Sequence, residues 1–364
     1  MKNTLGSSVC VTLFGESHGA QIGAVLDGLA PGITVDEQLI AHQLEMRRPA
    51  GKISTARREQ DAFSIVSGVF EGKTTGTPLT ILIPNADTRS GDYRRGAPRP
   101  GHADYTAYIK YHGFEDYRGG GHFSGRITAA LTAAGAIAIT ALRNRGIRIG
   151  THIARCAGIR DAGFSDLAND IERLNHAVFA VLDAKKGEAM KAAIEQAAAK
   201  GDSVGGVLET AVTGMPAGVG EPWFDTLESM LAHGLFAIPA VKGVEFGDGF
   251  ALADQRGSEA NDAFFLKNGK PETESNHNGG INGGISNGMD MIFRCAVKPT
   301  PSIRLPQRTV NLQTMQEEEM ALGGRHDPAI VHRARVVADS VTALVLCDAL
   351  SQRYGTDWLR GDPA

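Results

Sequence analysis

Three consecutive glycines, Gly119, Gly120 and Gly121, constrain this chain more than any other feature, because glycine admits backbone conformations closed to other residues and lets amides approach a ligand closely. They sit in the stretch 99–126, RPGHADYTAYIKYHGFEDYRGGGHFSGR, which runs directly into the alanine-rich segment TAALTAAGAIAITAL. Ser124, Gly125 and Arg126 read as the opening of a helix over 125–144. The first amides of a helix lack intrahelical partners and the macrodipole is positive there, so a phosphate or carboxylate is stabilised before any side chain contributes. Arg99, Arg118 and Arg126 add fixed charge, and arginine grips such oxyanions with two parallel hydrogen bonds. The competing structural reading is a glycine-rich turn ringed by solvated arginines.

The charge balance narrows the ligand. A net charge of −4 over 364 residues argues against a nucleic-acid binder, which carries a basic excess. Yet Arg89, Arg94, Arg95, Arg99, Arg118 and Arg126 fall in one segment, so a positive cleft can exist within an acidic protein and suits a small polyanionic substrate. Hydrophobic residues make up 42% and charged residues 21%, the composition of a globular chain with a real core. Cys10, Cys156, Cys295 and Cys347 are far apart and form no disulfide framework or zinc pattern. With no signal-peptide pattern at MKNTLGSSVCVTLFGESHG and no apolar run of membrane length, the expectation is a reducing, cytoplasmic setting.

In chain order, Val9 to Phe14 alternates as a strand and ends at GESHG, residues 15–19. That pentapeptide matches the G-x-S-x-G elbow of serine hydrolases, with Ser17 as nucleophile. An elbow runs from strand into helix, whereas AQIGAVLDGLAPG continues as strand and turn. Thr34 to Arg48 reads as a helix with Thr34 as cap and Glu37 completing a capping box, closed by Arg47 and Arg48. Residues 63–84 read as a hairpin whose turn holds Gly72, Lys73 and Thr74; GVFEGKT is one residue short of the P-loop spacing. Residues 151–185 give little signal, and Lys185 to Lys200 reads as a helix closed by Gly201.

The pattern then returns. GAVLDGLAPG followed by LIAHQL (residues 23–44) is echoed by GGVLETAVTGMPAGVGEP followed by ESMLAHGL (residues 205–235). The alanine-rich helix has a late counterpart in RARVVADSVTALVLCDAL, residues 333–350, which suggests two related halves around one core. Further on, NHNGGINGGISNG (276–288) suits backbone wrapped around a ligand. KPTPSI (298–303) holds hydrogen-bonding groups on a proline-stiffened chain, and GGRHDPA (323–329) brings Arg325, His326 and Asp327 to a proline turn.

Taken in this order, GESHG, the arginine helix end, RPGHADY, the GGG-x-x-S-G-R loop, AVKGVEFGDGF (240–250), SNHNGGINGGISNG, KPTPSI and GRHDP resemble the chorismate synthase family from about residue 6 to about residue 350. The resemblance implies an α+β fold, a β-α-β sandwich of antiparallel sheets and helices with an internal pseudo-twofold repeat, as one domain over residues 1–364. It implies conversion of 5-enolpyruvylshikimate 3-phosphate to chorismate with reduced FMN, a homotetramer, and flavin reduction either by NADPH or, in the absence of a long insertion, by an external flavin reductase.

It further implies catalytic roles for His18 at the departing phosphate, His102 beside the flavin N1 and C2 carbonyl, and Asp327 at flavin N5. Substrate contacts would come from Ser17, Arg47, Arg99 and Arg126. Flavin contacts would come from His122, Phe123, Ser124, Ala240, Gly283, Lys298, Pro299, Thr300, Pro301, Ser302 and Arg325, with Arg325 also near the substrate. The chain departs from the commoner pattern where GGGHFSGRI stands for GGGRSSARE, and where Pro239 precedes AVKG. A fixed cation is thereby exchanged for the titratable ring of His122. Two rival readings are a serine hydrolase acting through Ser17 and a non-catalytic flavin- or phosphate-binding protein.

Overall fold

A computed structural model of the chain describes residues 2–49, 51–55, 59–86, 88, 93–322 and 327–360. Arg89, Arg325 and His326, singled out above, lie outside them. The chain makes two rounds of strands and helices. The first contains β1 (Thr4–Leu5), β2 (Cys10–Gly15), β3 (Gln21–Asp27) and helix α1 (Glu37–Arg47). It continues through β4 (Ser64–Ser67), the small hairpin β5 (Val69–Phe70) and β6 (Lys73–Thr74), β7 (Leu79–Pro84), the short helix α2 (Asp104–Lys110) and helix α3 (Thr128–Asn144).

The second round opens with β8 (Arg148–Cys156), β9 (Ile159–Arg160), α4 (Leu167–His176) and α5 (Ala184–Ala199). There follow β10 (Gly206–Thr213), α6 (Leu227–Phe236), β11 (Val241–Phe246), α7 (Gly257–Ala260) and the hairpins β12 (Phe264–Lys267) with β13 (Lys270–Thr273) and β14 (Ile281–Asn282) with β15 (Ile285–Ser286). The round ends with β16 (Met291–Val297), the hairpin β17 (Gln307–Asn311) with β18 (Gln316–Met320), and helix α8 (Val331–Tyr354).

The two rounds share one topology. The first sheet has the order β1-β2-β3-β7-β4 and the second β11-β16-β10-β8-β9, with every pairing antiparallel. The four main strands of each round, taken in chain order as first to fourth, lie side by side as first, second, fourth, third: β2-β3-β7-β4 and β8-β10-β16-β11. In both, one helix separates the second strand from the third (α1 and α6) and a long helix comes after the fourth (α3, preceded by the short α2, and α8). The echo read between residues 23–44 and 205–235 is thus the pair β3–α1 against β10–α6.

Between the sheets lies a layer of helices. α3 packs on the first sheet, α8 on the second, and the two pack on each other. In β3 and β7 the alternating residues Ile22, Ala24, Leu26, Leu79, Ile81 and Ile83 are buried, as the period of a half-buried strand requires. α3 is apolar on every side because it has no solvent face, and the segment Gly125–Asn144, long and apolar enough to cross a membrane, is buried in this layer. Its small residues set the spacing: a Cβ at Gly135 would fall 2.6 Å from Ser340 Cα on α8. Asp348, buried on α8, accepts the amides of Ser7, Ser8 and Val9 and so fixes the entry into β2.

Some local expectations need revision. The cap of α1 is Asp36, whose carboxylate accepts the Leu39 amide at 2.9 Å; Thr34 is engaged in a bridge with Lys73. The 63–84 hairpin is β4 paired with β7, and Lys73 and Thr74 belong to the returning strand of the small hairpin inside it. The stretch 151–185 carries β8, β9 and α4. The helix read from 125 starts as a 3-10 turn, Gly125–Ile127, capped by Ser124, before α3 proper.

Candidate active site

A cavity of about 820 Å³ opens between the end of α1, the glycine loop, the start of α8 and the chain after α6. Among the described residues eight lysines and arginines line it against three carboxylates, so it is positive within an acidic protein; of the clustered arginines only Arg99 and Arg126 contribute, while Arg94, Arg95 and Arg118 lie elsewhere, Arg118 paired with Asp116.

The glycine loop forms one wall of the cavity. Gly119, Gly120 and Gly121 all take positive φ (61°, 82° and 52°), and each is pressed against a neighbour. A Cβ at Gly119 would fall 2.5 Å from the His18 ring, and one at Gly120 3.0 Å from His102 Cε1. The loop therefore runs between the two histidines, with His18 and Ser17 on one side and His102 and Arg99 on the other. The Ser17 amide donates to Gly121 O at 3.0 Å, and His122 Nδ1 donates to Gly15 O at 2.8 Å, so the GESHG turn and the glycine loop are tied by two hydrogen bonds. Ser17 Oγ is fully buried and has no hydrogen-bond partner among the described residues. GESHG itself is the turn between β2 and β3, so the strand-to-helix geometry of a hydrolase elbow is missing and no base is bonded to Ser17 Oγ.

RPGHAD meets KPTPSI across the cavity wall. Arg99 Nη1 donates to Ser302 Oγ at 3.3 Å, and the Lys298 ammonium donates to Gly101 O. Arg99 also grips Asp104 with both ends of its guanidinium, at 2.7 and 2.8 Å, and His102 Nδ1 lies 2.6 Å from the same carboxylate. Burial opposes the Asp104 charge, but hydrogen bonds from Arg99 and His102 outweigh it and hold the carboxyl well below its usual range. Tyr93 sits edge-on to His18 and beneath the Arg99 guanidinium, both at 5.5 Å.

On the opposite side, Arg47 and Arg126 share Asp61. Arg47 Nη1 reaches it at 3.4 Å, Arg126 Nη1 bonds its other oxygen, and Glu59 lies 3.2 Å from Arg126. Their remaining donors are also taken: Arg47 bonds Thr128 Oγ1 and Gly125 O, and Arg126 bonds Asn85 Oδ1 and Pro84 O. Burial pulls the Arg47 pKa down to about 9 despite the adjacent carboxylate. Asp61 itself holds a positive φ of 51°, a strained conformation for a non-glycine residue. Asp327 accepts the Thr55 amide at 2.7 Å and pairs with Arg333, whose Nε donates to Arg47 O.

Of the residues singled out from sequence, His102, Asp327, His122, Phe123, Ser124, Ala240, Lys298, Thr300, Pro301, Ser302, Arg47, Arg99 and Arg126 line this one cavity. Ser17 and His18 lie directly behind Gly119. Pro299 packs on Gly205, and Gly283 sits in the β14–β15 turn; neither lines the cavity. Sequence reasoning passed over Glu59, Asp61, Asp104 and Arg333, and it read Arg48 only as a helix end. Asp104 was within reach, since a carboxylate two residues from a histidine in a loop can bond its ring; the others depend on chain brought together from afar.

The comparisons with known proteins agree over nearly the whole chain. The family model described as chorismate synthase matches residues 9–351. The chorismate synthase of Thermococcus gammatolerans is 47% identical over 355 residues, covering 96% of this chain and 97% of that protein. That of Methanosarcina mazei is 46% identical over 354 residues, covering 95% of each. A solved structure described as the crystal structure of chorismate synthase superposes with a TM-score of 0.77 at 29% identity, covering 97% of this chain and 94% of that one.

Proposed function

We propose, from the premise that the chain belongs to the chorismate synthase family of lyases, that its substrate is 5-enolpyruvylshikimate 3-phosphate, that its cofactor is reduced FMN, and that it serves the last common step of the shikimate pathway. The observation that carries this reading is the glycine loop held between His18 and His102 at the edge of a cavity rich in cations. At about 820 Å³ the cavity lies near the top of the range of roughly 300–1,000 Å³ usual for small-molecule sites, room for a substrate beside a flat cofactor.

The polar lining fits such ligands. Among the described residues Thr300 Oγ1 and Arg48 Nε, both at the cavity, are buried without hydrogen-bond partners, as is Ser17 Oγ behind the loop. Buried polar atoms are normally satisfied, so Thr300 Oγ1 and Arg48 Nε, the two such atoms on described residues that line the cavity, offer partners to a ligand's polar groups. Ser124, Ala240, Thr300 and Ser302 would hold the flavin, whose chemistry when bound is electron donation to the substrate ring and uptake of the C6 hydrogen.

The elimination breaks the C3–O bond, whose electrons leave with phosphate, and the C6–H bond, whose electrons form the new double bond. His18 protonates the departing phosphate, and Ser17 Oγ hydrogen-bonds it. His102 sets the proton balance on the opposite side of the glycine loop, and Asp327, oriented by Thr55 and Arg333, faces the cavity as the carboxylate of the ring side. Arg47 and Arg126 take a substrate anion by exchange for Asp61, the partner they share. The exposed Trp223, Phe224 and Phe250 support association into the expected homotetramer.

An anaerobic assay with photoreduced FMN tests this reading, following chorismate absorbance and phosphate release. Wild-type protein should turn over, while His18→Ala, His102→Ala and Asp327→Ala should each lose about 100-fold or more in kcat. A wild-type protein that binds FMN and releases no phosphate would instead be a binding protein.

A further inference from the structure

We infer that Asp104 is a positioning residue for His102, fixing the proton on Nδ1 and leaving Nε2 as the nitrogen that works at the cavity; the inference rests on the reading of His102 given above. Asp104 opens the short helix α2, and its side chain turns back onto the loop two residues earlier. Its four acceptor contacts are all made from residues 99 to 102. Oδ2 takes the Arg99 amide at 3.0 Å and Arg99 Nε at 2.7 Å, while Oδ1 takes Arg99 Nη2 at 2.8 Å and faces His102 Nδ1 at 2.6 Å. A carboxylate so saturated is a rigid, charged acceptor.

Two groups compete for Nδ1. Arg99 Nη2 also lies 3.1 Å from it, and a guanidinium can only donate, so it would favour a bare nitrogen there. A bare Nδ1 would place its lone pair 2.6 Å from a carboxylate oxygen, lone pair against lone pair. The shorter contact and the full negative charge therefore decide for Nδ1–H, and Arg99 Nη2 is satisfied by Asp104 Oδ1. Nε2 then points to the glycine loop, 3.3 Å from where a Cβ at Gly120 would stand. With its Nδ1 engaged, the imidazole cannot turn over to present the other nitrogen. The arrangement does for His102 what a carboxylate does for a histidine in a catalytic triad, by geometry and tautomer rather than by contact with substrate.

The test uses histidine-labelled protein without flavin, in which long-range proton–nitrogen spectra distinguish the two neutral tautomers, the His102 signal being assigned by its loss in His102→Ala. Wild-type His102 should be the Nδ1–H tautomer when neutral, and finding Nε2–H in wild type overturns the inference without any variant. In Asp104→Asn the tautomer should change or become mixed, and kcat in the anaerobic assay should fall about 100-fold with KM within a few-fold of wild type. Asp104→Glu, which restores the charge, should recover part of kcat and the Nδ1–H signal. An Asp104→Asn protein with wild-type kcat beside an impaired His102→Ala overturns the inference, as does an unchanged tautomer in Asp104→Asn. Should His102→Ala keep full activity, the role given to His102 fails, and the spectra alone then decide what Asp104 does.

Discussion

Gly119 and His18 touch so closely that no side chain fits between them: an ideal Cβ on Gly119 stands 2.5 Å from both Cδ2 and Nε2 of the imidazole. With φ at +61°, the position is also strained for any L side chain. Gly119→Ala should therefore push the ring aside as well as destabilise the loop, by about 1–2 kcal/mol from the backbone alone. A ring displaced by about 1 Å can cost on the order of 100-fold in rate, so phosphate release should drop by that order while the protein remains folded. Wild-type turnover by Gly119→Ala would show that His18 need not sit where it does.

Asp61 pairs with two buried guanidinium groups at once. Asp61→Asn keeps the shape and removes the charge, leaving Arg47 and Arg126 with Glu59 as the acid nearby. Removing one member of a buried ion cluster costs about 3–5 kcal/mol, because the charges left behind cannot be resolvated. Urea unfolding should register a loss of that size, and a loss below about 1 kcal/mol would mean water already reaches the cluster.

His152 is buried on the second sheet between Asp161 at 2.8 Å and Glu209 at 3.0 Å. Burial works against its charge, but the hydrogen bonds to the two carboxylates outweigh it and raise its pKa above the usual 6.5. A raised folded-state pKa means that the native protein holds its proton longer than the unfolded chain does. The stabilisation is therefore fully present below about pH 6.5 and is lost as pH climbs through the folded value. Urea midpoints of wild type should fall relative to those of His152→Gln between pH 6.5 and 9; parallel curves would contradict the pairing.

His332 titrates with the opposite sign. Burial pushes it down to about 4, its Nε2 bonds Ser54 Oγ at 2.7 Å, and its Nδ1 has no hydrogen-bond partner among the described residues. Between about pH 6.5 and pH 4 the unfolded chain binds a proton that the native state refuses, so stability declines as pH falls through that window. His332→Leu should flatten the acid limb of a stability–pH curve, at the cost of about 1 kcal/mol near neutrality for the hydrogen bond to Ser54. An acid limb equally steep in the variant would assign it to other groups.

Gly135 marks the closest approach of α3 and α8. In an isolated helix Gly→Ala is favourable by about 1 kcal/mol. Here the added methyl would meet Ser340 Cβ at 2.2 Å and its Cα at 2.6 Å, backbone that can move only if the helices separate. Gly135→Ala should destabilise by about 1–3 kcal/mol, the usual cost of overpacking, seen as a lower melting temperature. Ser340→Gly should partly rescue it and Ser340→Ala should not, since the Cβ is the obstacle.

Much of this molecule was legible in the order of its residues. The alternation from Val9 to Phe14, the alanine-rich segment that becomes α3, and the echo between the two halves are local patterns, and β2, α3 and the repeated strand order match them because burial imposes its period on whatever segment it covers. The motifs GESHG, RPGHAD, GGG and KPTPSI were also visible, each a short run whose residue types already limit its backbone and chemistry. α4 was passed over although its signal is local too: Leu167, Ile171 and Leu174 recur at helical spacing behind the cap Asp166.

The residues alone determined which family this chain joins, since the motifs and their order are properties of the string. Only folding decided how their side chains are engaged. Glu59 and Asp61 come to Arg126 from some 65 positions away, Arg333 reaches back to the end of α1, and the glycine loop slips between two histidines that sequence places 84 residues apart. Charge pairing and steric contact act through space, over a few ångströms, and nothing in a linear order records which distant groups will share that distance.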